Sequence, residues 1–133
     1  MKIEKIEGIG EKYAKKLGAA GITTTEQLLE AGGSRKGRQD LAEKTGISAT
    51  LILEWVNLAD LMRVSGIGEE YSDLLEEAGV DTVKELRNRN PENLHKALQE
   101  VNARKHLVRQ LPGPSQVESW IKSAKELEPK VSY

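Results

Sequence analysis

The sequence predicts an all-α fold, and three observations carry that expectation. Apolar residues recur three and four positions apart along nearly the whole chain, the period of helices buried on one face. Glycine, proline and Ser/Thr clusters interrupt the pattern at short intervals, as tight connections between short helices do. No stretch reads as a convincing strand.

The elements follow from a stretch that occurs twice. Residues 6–24 read IEGIGEKYAKKLGAAGITT, and residues 64–82, offset by 58 positions without a gap, read VSGIGEEYSDLLEEAGVDT. Each copy sets two glycines about an isoleucine, then glutamate, a tyrosine three positions past the second glycine, a leucine four further on, and Ala-Gly before a β-branched residue. The spacing predicts a helix over about residues 11–20, with Tyr13, Leu17 and Ala20 on one face, and a second over about 69–78, with Tyr71, Leu74, Leu75 and Ala78 inward. Gly21 and Gly79 stand where a left-handed residue would end each helix.

Thr24 with Gln27, and Thr82 with Glu85, have capping-box spacing and should open short helices carrying Leu28 and Leu29, or Val83 and Leu86. Residues 31–39 (AGGSRKGRQ) and 87–93 (RNRNPEN) read as loops, leading to helices over about 37–44 and 92–101. Asn90 is the expected N-cap of the latter, with Pro91 at its first position. A longer helix closes each half. Over about 49–63, Leu51, Ile52, Trp55, Val56, Ala59 and Met62 form one apolar stripe. After residues 111–115 (LPGPS), a Ser115/Glu118 capping box should open a helix stacking Val117, Trp120, Ile121, Ala124 and Leu127. Trp55 and Trp120 take matching places, and the second half carries about seven extra residues around 102–110 (NARKHLVRQ). The expected organisation is one compact domain over 1–133. It comprises two pseudo-repeats, about 1–60 and 61–128, sharing a core through the long helix, and a frayed tail at 129–133.

Composition narrows function. A chain of 133 residues with 38% hydrophobic and 31% charged residues belongs among soluble globular proteins. A formal charge of −1 gives no overall field to draw in a polyanion, so any nucleic-acid contact must come from a local basic patch. The absence of cysteine excludes disulfides, a thiolate nucleophile and cysteine-ligated metal, which suits a reducing cytoplasm. The start, MKIEKIEG, has no apolar leader, and no run approaches the roughly 18 apolar residues of a membrane span. A cytoplasmic protein without a membrane partner is expected. His95 and His106 stand eleven apart, and His95 lies one turn from Glu92, a spacing of exposed helix pairs more than of metal ligands. HExxH, the P-loop, GxSxG and a strand-preceded dinucleotide fingerprint are all missing. The expectation is a non-enzymatic protein with no metal, cofactor or small-molecule substrate.

Apolar-x-Gly-apolar-Gly, a helix with Ala or Leu near its fourth and seventh positions, then Ala-Gly-Ile/Val and a threonine resembles the helix-hairpin-helix motif. Taken as tandem units, the resemblance covers almost the whole chain. The order GIGEEYSDLLEEAGVDTVKEL, RNPENLH and LVRQLP is also similar to an uncharacterised bacterial domain-of-unknown-function family built from such repeats. The helix-hairpin-helix resemblance implies paired hairpins gripping the strands of DNA across the minor groove without reading sequence.

The chemistry rests on glycines that adopt positive φ and let a phosphate approach amides at a helix N-terminus. Gly8, Ile9, Gly10 and Glu11 would form one cradle, flanked by Lys12, Lys15 and Lys16 and by Arg35, Lys36 and Arg38 of the 31–39 segment. The second turn, Gly66, Ile67 and Gly68, is expected to be structural, because Glu69, Glu70, Asp73, Glu76 and Glu77 would repel a phosphate backbone. Arg104, Lys105 and Arg109 could aid a one-handed grip. Tyr13, Tyr71, Trp55 and Trp120 sit at core spacing and are read as packing. The alternative function is a protein-interaction or scaffolding module that keeps the architecture without binding DNA.

Overall fold

The computed structural model describes residues 1–133. Eight α-helices and one 3₁₀ turn make up the secondary structure, with no strand. Backbone contacts fall into two compact units, residues 1–60 with 130–133, and residues 61–129. No helix is long and apolar enough to cross a membrane.

Unit one begins with the 3₁₀ turn Ile3–Lys5 and continues through α1 (Glu11–Ala19), α2 (Thr25–Gly32), α3 (Arg35–Thr45) and α4 (Ala49–Leu61), whose last residue opens unit two. α1 ends as its sequence demands. Gly21 takes φ +84°, and Ile22 N–H reaches back to the Leu17 carbonyl at 2.9 Å. Thr24 and Gln27 then form a complete capping box for α2. The first residues pair antiparallel with this cap, Ile3 N–H to the Thr23 carbonyl at 3.1 Å and Thr25 N–H to the Met1 carbonyl at 2.9 Å. Ile3, Ile6, Ile9, Leu17, Leu28 and Ile52 are buried with Trp55 and Val56.

Two expectations fail in unit one. The 31–39 stretch is not a loop: α2 runs to Gly32, and Ser34 caps α3 by accepting Gly37 N–H at 3.0 Å. Its glycines reflect crowding. A Cβ on Gly37 would lie 2.1 Å from the Ala31 carbonyl oxygen, and one on Gly33 would lie 2.4 Å from the Lys130 carbonyl oxygen. The C-terminal segment is likewise not a frayed tail. Ser132 N–H donates to the Gly33 carbonyl at 2.8 Å, and Arg38 Nη2 donates to the Ser132 carbonyl at 2.6 Å, so residues 130–133 lie across the α2–α3 junction.

Unit two contains α5 (Glu69–Glu77), α6 (Val83–Leu86), α7 (Pro91–Lys105) and α8 (Pro114–Lys125). Leu74, Leu75, Leu86, Leu94, Leu98 and Trp120 are at the heart of its core. Asn90 caps α7 by accepting Asn93 N–H at 3.0 Å, with Pro91 at the first position. Thr82 accepts Glu85 N–H at 3.3 Å, but the Glu85 carboxylate turns to Asp81 N–H, leaving half a capping box. The extra residues lengthen α7 to Lys105, past the expected end at 101. His106 then stops it in the left-handed region (φ 52°), and the Asn102 side chain pins both N–H and C=O of Val108. The Ser115/Glu118 box does not form. Pro114 takes the first position of α8, its φ already suited to a helix, and Gly113 becomes the N-cap.

Candidate nucleic-acid interface

The Gly8-Ile9-Gly10 turn is held by Ile9 N–H donating to the Ile6 carbonyl at 3.1 Å, while the Ile9 side chain is buried. Gly8 lies at φ +93°, where an L side chain is strained. Its missing Cβ also makes room for Trp55, whose indole Nε1 would be 3.3 Å from that atom. Tyr13 meets the same indole edge-on at a centroid distance of 5.0 Å. Gly10 differs from Gly8. Its φ is ordinary and a Cβ there would touch nothing, so packing does not require glycine at this place. Gly10 is the N-cap of α1 and supplies no capping side chain, which leaves the first-turn amides without a side-chain acceptor.

The second turn repeats this construction. Gly66 has φ +91°, Ile67 N–H reaches the Val64 carbonyl at 3.1 Å, and Trp120 Nε1 would be 3.2 Å from a Gly66 Cβ. Tyr71 lies 5.2 Å from the Trp120 ring, and Gly68 is an uncapped N-cap with free space about it. Tyr71 additionally donates its hydroxyl to the Gln110 carbonyl at 2.9 Å, tying the extra segment to α5. Gly66→Ala should therefore cost about 2 kcal/mol in chemical denaturation, from the left-handed backbone and the indole contact together. Gly68→Ala should stay within about 0.5 kcal/mol.

Charge separates the two turns. Lys12, Lys15 and Lys16 are all exposed on α1, and Lys15 Nζ is 3.6 Å from Glu11, a solvent-screened pair worth little. Gly10, Glu11 and Lys15 join Glu4, Ile9 and Ala14 around an open depression of about 440 Å³. The depression of about 520 Å³ at the second turn is lined by Gly66, Gly68, Glu69, Glu70 and Tyr71, with Arg109 and Gln110 opposite. Lys105 is tied to Glu77, while Arg104 is exposed.

The other expected cations lie elsewhere. Arg35 and Lys36 are exposed in the first turn of α3, and Arg35 lines a different depression from Gly10 and Lys15. Arg38 is only 4% exposed. Its Nη1 donates to the Gly32 and Gly33 carbonyls, both at 3.0 Å, and its Nη2 to Ser132. Burial pushes its pKa below the ordinary value; Tyr133 opposes that effect and the Arg35 cation adds to it. Arg38 is thus a structural clamp whose guanidinium is engaged by backbone carbonyls on both sides of the α2–α3 junction. No local pattern announces this role, since Ser132 lies 94 positions away. His95 is also occupied, with Nε2 3.0 Å from the Pro112 carbonyl, which makes that nitrogen the donor.

The match to a family model spans residues 7–127, the family being described as Domain of unknown function (DUF4332). The chain belongs to this family. The DUF4332 match takes in both Gly-Ile-Gly turns and both tryptophan helices, and stops short of the residues that return to unit one. No curated protein and no solved structure matches the chain.

Proposed function

We propose that this DUF4332 domain is a non-enzymatic, sequence-independent DNA-binding module of two helix-hairpin-helix units, in which the first hairpin grips backbone phosphate. The observation that carries this reading is the Gly8-Ile9-Gly10 turn, both of its glycines exposed, at an uncapped helix N-terminus beside Lys12, Lys15 and Lys16. Amides at such a terminus and lysines on its first turns act on the same phosphate backbone, through hydrogen bonds and through charge. Arg38 has no part in the grip, and Arg35 and Lys36 are at most accessory to it.

The test is binding of a labelled short duplex and its single strands at about 50 and 200 mM salt. Three lysines limit the log–log salt slope to about −3, roughly a 40-fold loss of affinity over that range. Lys15→Glu with Lys16→Glu should flatten the slope toward −1 and weaken binding at least tenfold at low salt. Unchanged binding by the double variant would move the grip off α1. Absence of binding at 50 mM would favour the second reading, a protein-interaction module. That reading is supported by the second turn, which has the same geometry within a wall carrying Glu69 and Glu70.

A further inference from the structure

Residues 130–133 are held at the α2–α3 junction through both backbone groups of one residue. Ser132 N–H donates to the Gly33 carbonyl at 2.8 Å, and the Ser132 carbonyl accepts from Arg38 Nη2 at 2.6 Å. These are the two bonds that a residue exchanges with its opposite number in an antiparallel pair, with a guanidinium in place of the neighbour's amide. The donor is fixed independently of the segment, because Arg38 Nη1 is tied to the Gly32 and Gly33 carbonyls. Gly33 permits the close approach, since a Cβ there would lie 2.4 Å from the Lys130 carbonyl oxygen. Val131 is half-buried, and Tyr133 helps to line a depression of about 280 Å³ with Ala49, Thr50 and Leu53 of α4.

Gly33 and Arg38 thus form a bracket that reads the backbone of an extended segment and leaves the Ser132 side chain exposed. Bracket and segment also differ in origin. The bracket lies inside the family match, which ends at residue 127, and the segment lies beyond it. Glu128, Pro129 and Lys130, which follow α8, are exposed, so the segment can leave the bracket without unpacking a helix. A contact made by a few backbone bonds at a surface opens locally, far more readily than the core. Within its own chain the segment competes at an effective concentration on the order of millimolar, which a second segment has to match.

We propose that the α2–α3 junction is a docking site for an extended peptide segment, and that its partner is a second copy of this chain, which donates residues 130–133 in place of the resident ones. Every copy carries both the bracket and the one segment whose fit to it is visible. Exchange therefore keeps each bond and changes only which chain supplies it, the low-cost route to self-association. Because the resident segment competes, the exchanged form is populated as the chain concentration approaches the millimolar range. The site uses none of the residues of the hairpin grip.

The experiment empties the bracket with Ser132→Pro in the full chain, which removes the N–H that Gly33 receives and touches no core residue. Amide relaxation should show residues 130–133 mobile in this variant and ordered in the unaltered chain; a segment still ordered in Ser132→Pro would overturn the two-point hold. A synthetic peptide of residues 126–133 should then give saturable amide shifts at Gly33, Arg38 and Thr50 of the labelled variant. Its affinity should be about tenfold or more above that for the unaltered chain, where the resident segment competes. Unlabelled Gly33→Ala chain has its own bracket blocked by the new Cβ against Lys130 while its segment is intact. It should shift the same residues of labelled Ser132→Pro and slow its tumbling. No saturable shift at millimolar peptide, or equal shifts in the unaltered chain, would overturn the docking site. Shifts from the peptide with none from the Gly33→Ala chain would overturn the second copy as partner and assign the bracket to a segment of another protein. Duplex affinity, which reads the hairpin, enters none of these outcomes.

Discussion

Trp120→Ala is expected to remove about 4 kcal/mol of unfolding free energy, the scale for truncating a buried aromatic. The indole is 2% exposed and lies among Leu74, Leu94, Leu98 and Ile121 in the core of unit two. It performs two further tasks, supporting the Tyr71 ring and filling the space that Gly66 leaves open. Truncation would therefore leave a cavity, loosen Tyr71 and its hydroxyl bond to Gln110, and free the turn that precedes α5. Urea denaturation followed by circular dichroism would read the loss, with amide exchange accelerating across α5, α7 and α8. Trp55→Ala should have a matching effect on α1 and the Gly8 turn, since Trp55 is 1% exposed and meets Tyr13 in the same manner. A loss below about 1.5 kcal/mol in Trp120→Ala would show that the surrounding leucines collapse into the vacated space, and that the turn holds without the indole.

Arg38→Ala is expected to cost about 3 kcal/mol, for a different physical reason. Removing the guanidinium strands the carbonyls of Gly32 and Ser132 and takes one partner from Gly33, and an unsatisfied buried acceptor costs about 1–3 kcal/mol. Relief of the guanidinium's own desolvation offsets part of that sum. Gly33 keeps its bond from Ser132 N–H, so the damage should centre on the Arg38 contacts themselves. Arg38→Lys should recover less than half of the loss, because an ammonium cannot span carbonyls on both sides as a planar fork does. Proteolysis would show the same change locally, with cleavage in residues 130–133 appearing in Arg38→Ala under native conditions. A loss under 1 kcal/mol, with the segment still protected, would mean that its backbone bond to Gly33 holds it alone.

Much of the fold is legible in local sequence because local physics determines it. Gly21 and Gly79 stop helices by adopting positive φ, Thr24 and Asn90 start them by accepting terminal amides, and Pro91 fits the first helical position because it has no amide to satisfy. Expectations fail where a long-range neighbour decides. Gly33 and Gly37 look like loop glycines, yet they are small because carbonyls of Lys130 and Ala31 lie close by, and neither neighbour can be inferred from spacing. Pro114 wins the helix start from Ser115 because its ring sets φ before any hydroxyl can cap. At the candidate interface, exposure of Lys12, Lys15 and Lys16 follows from the amphipathic pattern of α1, whereas burial of Arg38 follows from contacts with residues near the other end of the chain. A run of basic residues gives no sign of which member turns inward.

The return of residues 130–133 to unit one also sets an order on biosynthesis. Unit two is continuous from 61 to 129, so every residue it needs has been synthesised before the last contributors to unit one are added. A nascent chain halted at residue 60 holds α1 to α3 and nearly all of α4, yet the Arg38 bond to Ser132 and the Gly33 contact have no partner until about seventy more residues are added. The unit that starts first is thus the one that is finished last.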